Sequence, residues 1–215
     1  MNKVYLMDCM DLMKDLHDNA FELAIVDPPY GIGNFVQTSG NVRGDEVTWN
    51  DNTPSQEYFT ELKRVSKERI IWGANYYNCF EKGGAIVWDK RQPNPKMSQC
   101  EIASYSRLVR VAYYYLPWNN FDHKGRANIH PWEKPVALYK WLLKNYAKPG
   151  DKILDTHIGS GSIRIACHDM GFGLVGCEID LDYWKAQEER FQTHIEQGDL
   201  FGNDEMQNLI YKEKL

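Results

Sequence analysis

The segment from Lys152 to Glu178, KILDTHIGSGSIRIACHDMGFGLVGCE, constrains the fold more than any other part of the chain. An apolar run ends at Asp155. A tight turn with Gly159 and Gly161 follows, then a helix running to Met170 and stopped by Gly171. A second apolar run, Leu174 to Cys177, leads to Glu178 and a long helix. Glycine permits such a turn and lets backbone approach a ligand closely. The strand–helix–strand–helix order implies an α/β fold with a doubly wound, mostly parallel sheet. Glu178 stands 23 residues after Asp155, close to the ~20 at which an acid accepts hydrogen bonds from ribose hydroxyls. The turn lacks a full GxGxxG, so a single nucleoside-type cofactor fits better than a dinucleotide. The plainer reading is a structural turn, with Glu178 serving only the N-terminus of the next helix.

The N-terminal part has its own strand-to-turn junction. Phe21 to Val26, FELAIV, is apolar without strict alternation, which suits a buried parallel strand. It stops at Asp27-Pro28-Pro29-Tyr30, because proline cannot continue the hydrogen-bond ladder. Open α/β sheets bind ligands at the carboxyl ends of strands. The two prolines fix the backbone there. The Asp27 carboxylate and a proline carbonyl can then face one amino group, and the Tyr30 ring can cover a planar base. A bare DPPY could equally be a turn.

Between these units, residues 31–52 are rich in Gly, Asn, Asp, Ser and Thr, and read as a long mobile loop. Thr53, Pro54 and Gln56 form a capping-box pattern that opens a helix carrying Tyr58, Phe59, Leu62 and Val65. RIIW at 69–72, AIVW at 85–88, EIASYS at 101–106 and VRVAYYYL at 109–116 read as strands. Pro135 opens a further helix, ended by Pro149-Gly150. The polar loops 91–99 and 117–131 carry cationic residues. The whole chain reads as one domain, with 91–131 as short inserted strands and loops available for DNA recognition.

DPPY after a strand–helix unit, with a Gly-containing cofactor turn late in the chain, resembles the amino-group DNA methyltransferases. WGANYY at 72–77, IVWDK at 86–90 and HPWEKPVAL at 130–138 resemble internal blocks of the same family. The catalytic motif precedes the cofactor motif, the permuted order of the β group. The resemblance spans about 3–30, 69–107 and 129–184. It implies a Rossmann-like, S-adenosylmethionine-dependent methyltransferase fold with circularly permuted motifs. The β group covers N6-adenine and N4-cytosine enzymes, and DPPY in place of SPPY points to adenine. One departure stands out: the family's DPFxGSGT is here Asp155-Thr156-His157-Ile158-Gly159-Ser160-Gly161-Ser162.

The resemblance also implies the site. Asp27 and the Pro28 carbonyl, with Pro29 and Tyr30, would hold the target amino group. The cofactor would meet Asp155, Thr156, His157, Gly159, Ser160 and Gly161, with Glu178 on the ribose and Asp8 on the adenine. Lys134 and Pro135 would frame its pocket. A base inside a duplex is inaccessible, so it must be flipped out, with Tyr30 stacked on it. Arg43 and Trp49 would close over it, and Lys90, Arg91, Lys96, His123, Lys124 and Arg126 are candidates for phosphate contact. Double-stranded DNA is the expected partner. Dimers are common in the β group, and a homodimer stays an open option.

Composition narrows the alternatives. The 215 residues carry a net charge of −5, which argues against a surface coated in nucleic-acid-binding charge but leaves room for a local basic face. Five cysteines with no CxxC pair speak against a disulfide framework or a zinc ribbon. The histidines show no ligand spacing, so no metal is expected. Free thiols, an N-terminus unlike a signal peptide and no long apolar run suggest the cytoplasm of a bacterial or phage-infected cell. Seven tryptophans and 13 tyrosines serve either core packing or the stacking of flat ligands.

Overall fold

A computed structural model describes residues 2–33, 52–94, 97–117, 129–130 and 132–200. Expectations placed on Arg43, Trp49, Lys96, His123, Lys124 and Arg126, and on nearly all of loop 31–52, fall outside these residues.

The strands are β1 (Asn2–Leu6), β2 (Phe21–Val26), β3 (Ser66–Trp72), β4 (Ala85–Asp89), β5 (Cys100–Tyr105), β6 (Val111–Tyr115), β7 (Lys152–Asp155) and β8 (Gly173–Glu178). The helices are α1 (Cys9–Lys14), α2 (Gln56–Val65), α3 (Ala74–Tyr77), α4 (Val136–Tyr146), α5 (Ser162–Asp169) and α6 (Leu181–Leu200). One eight-stranded sheet has the order β1-β8-β7-β2-β3-β5-β4-β6. Its first five strands are parallel. β5 runs antiparallel to both β3 and β4, and β6 returns parallel to β4.

Helices cover both faces, as a parallel sheet requires. On one face, Leu138, Leu142 and Leu143 of α4, Ile163 and Ile165 of α5 and Phe191 of α6 pack on Leu23, Ile25, Ile70 and Ile153. On the other, Leu12 and Met13 of α1 and Tyr58, Leu62 and Val65 of α2 pack on Ala24, Val26, Ile71 and Leu154. FELAIV alternates between these cores, so its continuous apolarity follows from burial on both sides.

α2 starts later than its capping pattern predicts. Ser55, not Thr53, is the N-cap, with its hydroxyl accepting the Tyr58 N–H at 3.3 Å. Pro54 therefore lies outside the helix. Both Thr53 and Ser55 are competent caps, and the extended backbone of Ser55 (ψ 162°) decides between them.

The topology sets up the site. β7, near the C-terminus, lies beside β2, near the N-terminus, with Leu23 opposite Ile153 and Ala24 opposite Leu154. β8 and β3 flank this pair. Four adjacent parallel strands thus deliver Glu178, Asp155, Asp27 and Gly73 to one edge of the sheet.

Candidate active site

At this edge lies a cavity of about 300 Å³, at the lower end of the range for ligand pockets. Asp27 and Pro29 line it from the β2 end. His157, Ile158, Gly159 and Ser160 line it from the turn after β7, and Glu178, Ile179, Asp180 and Tyr183 from the end of β8 and α6. His130, Trp132, Glu133 and Lys134 close the remaining side.

The turn after β7 is held through its backbone N–H groups, which donate to nearby carboxylates. The Asp155 carboxylate accepts the His157 N–H at 2.9 Å. The two Glu178 oxygens accept Gly159 N–H and Asp180 N–H, each at 3.0 Å. Glu178 thus ties the turn to the end of β8, while the N-terminus of α6 is served by Asp180, which accepts the Asp182 and Tyr183 N–H groups at 2.8 and 3.0 Å. Gly161 has φ 75°, and a Cβ there would meet Gln187 Cβ of α6 at 3.0 Å. Its glycine is required by the turn and by helix packing rather than by a ligand. A Cβ on Gly159 would come into ordinary contact with the His130 ring, 3.7 Å away. In place of the family's Pro-Phe, Thr156 bonds the buried Tyr58 hydroxyl at 2.7 Å and His157 Nδ1 at 2.9 Å.

The DPPY end is held by distant side chains. Lys134 Nζ pairs with Asp27 Oδ2 and, at 3.0 Å, with Glu101 Oε2. Lys90 bonds the other Glu101 oxygen at 2.8 Å. Tyr30 donates its hydroxyl to Asp27 Oδ1 at 2.6 Å. The Tyr77 hydroxyl lies 2.6 Å from the Pro28 carbonyl and 2.8 Å from that of Pro29. The Tyr30 ring stacks on Tyr76 with centroids 4.9 Å apart. A Cβ on Gly73, at φ 74°, would lie 2.6 Å from the Tyr30 ring carbon Cδ1, so only glycine lets that ring sit where it does.

Electrostatics follow from burial and these pairs. Burial pushes the Asp27 carboxyl above its ordinary range, against the pull of Lys134. Burial also raises Glu101, but Lys134 and Lys90 outweigh it and hold that carboxyl at about 2. Lys134, facing two carboxylates, is raised despite its burial. Burial lifts Asp155 to about 8 and depresses His130 to about 3 and His157 to about 4.

The structure gives several of the expected residues partners of their own. Lys134 belongs to the Asp27 side of the cavity rather than framing the cofactor end alone. Lys90, with a side chain 13% exposed and bonded to Glu101, is not free to meet phosphate. The Pro28 carbonyl already accepts a hydrogen bond from Tyr77. The Tyr30 ring and hydroxyl are engaged within the loop, and Tyr76, 41% exposed, is the outward ring of that stack. Asp8 caps α1 by accepting the Met10 N–H at 2.7 Å and does not line the cavity. Asp155, Thr156 and Gly161 support the turn from behind. Pro135 is the N-cap of α4. Arg91 lies over the Tyr115 ring at 5.1 Å, in the polar pocket it shares with Asp89, Gln92 and Gln99.

Sequence reasoning missed Glu101, Tyr76, Tyr77, Gly73 and Tyr183. WGANYY contains three of them, and its tyrosines were a visible signal. Nothing in EIASYS marks Glu101, which reaches the site only because β5 pairs antiparallel with β3.

A family model described as DNA methylase, the N6/N4 methyltransferases, matches residues 76–189. The chain belongs to this family of DNA methylases. It is 24% identical to the type II methyltransferase M2.MboI of Moraxella bovis, over 87% of this chain and 86% of that protein. It is also 24% identical to the type II methyltransferase M.HpaI of Haemophilus parainfluenzae, over 85% of this chain and 72% of that one. The fold matches that of M1.HpyAVI, solved as a complex with SAM, at a TM-score of 0.59, 19% identity, and 88% and 100% coverage of the two chains. It also matches the cytosine-N4-specific PvuII DNA methyltransferase at 0.60, 12% identity, and 88% and 86% coverage. Among the described residues, no helix is long and apolar enough to cross a membrane, and no cluster of three or more side chains could hold a metal ion.

Proposed function

We propose that this chain methylates the N6 amino group of adenine in duplex DNA, using S-adenosylmethionine and a flipped-out target base. The observation that carries the reading is that Asp27 lines the same cavity as Gly159 and Glu178. Target and cofactor machinery, at opposite ends of the sequence, share one space. N6 transfer is favoured by Asp at the first position of DPPY.

The residues fit the cofactor. Glu178, Asp180 and Asp27 line the cavity, which suits a ligand carrying positive charge. Glu178 has lone pairs left for ribose hydroxyls, and Ile158, Ile179 and Tyr183 offer apolar and aromatic surface for a base. When bound, S-adenosylmethionine supplies an electrophilic methyl group.

Asp27 accepts a hydrogen bond from the target amino group and orients its lone pair, a positioning and electrostatic effect. Lys134 and the Tyr30 hydroxyl fix the carboxylate in direction and leave each oxygen a second lone pair. Tyr77 fixes the two proline carbonyls, and the Pro28 carbonyl is the acceptor proposed for the other amino hydrogen. The Tyr30–Tyr76 stack provides the platform for the flipped base.

The test is methyl transfer from labelled S-adenosylmethionine to unmodified duplex DNA, with RNA as competitor, followed by digestion to nucleosides. N6-methyladenine is expected. N4-methylcytosine would overturn the adenine assignment, and label confined to RNA would overturn the DNA reading.

A further inference from the structure

Glu133 and Lys134 are adjacent but point to different halves of the site. Lys134 holds Asp27. Glu133, with a side chain 2% exposed, pairs through Oε1 with Arg190 of α6 at 3.1 Å. The same Arg190 nitrogen, Nη1, donates to the Ser160 carbonyl at 2.8 Å and lies 3.0 Å from the Ser162 hydroxyl. Ser160 lines the cavity, and Ser162 begins α5. Glu133 also accepts the Ile129 N–H at 3.4 Å.

We infer that Arg190 is a positioning residue for methyl transfer, fixing the cofactor turn at Ser160 relative to the Glu133–Lys134 step that holds Asp27. This rests on the function proposed above. Arg190 does not line the cavity, so it acts through what it holds. It grips both the Gly159–Ser162 turn and Glu133. Without it, the turn and the Lys134–Asp27 pair keep their own local bonds but lose their common reference. A misplacement of about 1 Å between reacting groups costs on the order of 10² in rate.

The experiment compares wild type with Arg190→Lys, Arg190→Met and the double variant Glu133→Gln/Arg190→Met. The double variant removes the buried charge as well as Arg190, so it stays folded if the Glu133 carboxylate, deprived of Arg190, unfolds the single one. Thermal melting, S-adenosylmethionine titration by calorimetry and single-turnover transfer to duplex DNA at saturating cofactor are measured for each. The expected result is a rate loss of roughly 10- to 100-fold at saturation for Arg190→Met or the double variant. Arg190→Lys recovers most of it, because an ammonium can also bridge Glu133 and the Ser160 carbonyl. A folded Met or double variant with the wild-type saturated rate would overturn the inference. So would a rate loss explained wholly by weaker cofactor binding. An inactive wild-type protein would instead overturn the function on which the inference rests.

Discussion

The two ends of the cavity are built by opposite means. The turn after β7 is stabilised by short-range backbone bonds to Asp155 and to Glu178 on the neighbouring strand. The DPPY loop is stabilised by side chains that lie 48 to 107 residues away, namely Tyr77, Glu101 and Lys134. A turn held through its backbone N–H groups tolerates changes at positions whose side chains are not the acceptors, such as Thr156 and His157. A loop held by buried charge depends on every member of the set. In Asp27–Lys134–Glu101–Lys90, charges alternate and each interior member has two partners.

The sharpest way to break this contrast is to remove a charge from the DPPY side. Lys134→Met leaves Asp27 and Glu101 buried without their shared cation, and is expected to cost about 3–5 kcal/mol in urea denaturation. Asp155→Asn, on the other side, keeps the acceptor for the His157 N–H and should cost far less. Equal losses in the two variants would erase the distinction.

Glycine-to-alanine exchanges come next in size. Gly73→Ala adds a clash with the Tyr30 ring to the strain of a positive φ, and about 2–4 kcal/mol is expected from the two together. Gly159→Ala brings its Cβ only into ordinary contact with the His130 ring, 3.7 Å away, and carries the φ strain, about 1–2 kcal/mol. Thermal denaturation of the pair measures the difference directly.

A pH test isolates the buried acid behind the turn. With Asp155 raised to about 8, the folded state binds a proton that the unfolded state releases near its ordinary carboxylate value. Its contribution to stability therefore falls as pH rises toward 8. His130 and His157, depressed to about 3 and 4, act in the opposite sense, but only below their unfolded value near 6.5. Burial raises Asp27 and Glu178 in the same sense, so between pH 6.5 and 8 the Asp155 share is read from the difference between wild type and Asp155→Asn. The cofactor-free protein should lose up to ~2 kcal/mol across that window, and Asp155→Asn should flatten the decline. An unchanged slope in the variant would contradict the assignment.

The smallest effect concerns Lys90. A phosphate contact contributes about 0.9 to the slope of log K against log salt. Because Lys90 is bonded to Glu101, Lys90→Ala should leave the salt dependence of duplex binding unaltered. A slope reduced by about 0.9 would return Lys90 to the DNA interface.

The same contrast explains what was legible in the sequence. The Asp155–Glu178 unit could be read directly because strand, turn, helix and strand are consecutive and glycine marks the turn. FELAIV ending at DPPY was legible for the same reason. Loop 31–52 and the basic residues at 96 and 123–126 receive no structural account from the described residues. Glu101, Tyr77 and the true role of Lys134 were hidden because they depend on register between strands distant in sequence. Trp72 lies opposite Ala103 in the β3–β5 pairing, and no local pattern announces that alignment. Arg190 was hidden in a solvent-facing helical sequence whose inner side is defined only by packing.

The central claim is that Asp27 serves the target amino group while the turn at Gly159 serves the cofactor. The direct measurement is a crossed pair, Asp27→Ala and Gly159→Val, each examined by S-adenosylmethionine titration and by single-turnover methyl transfer to duplex DNA at saturating cofactor. Asp27→Ala should lose ~10²–10³ in rate with cofactor affinity nearly intact, since Lys134 remains paired with Glu101. Gly159→Val, whose branched side chain would fill the space facing His130, should lose cofactor affinity first. A folded Asp27→Ala protein that binds cofactor and methylates at near the wild-type rate would contradict the account.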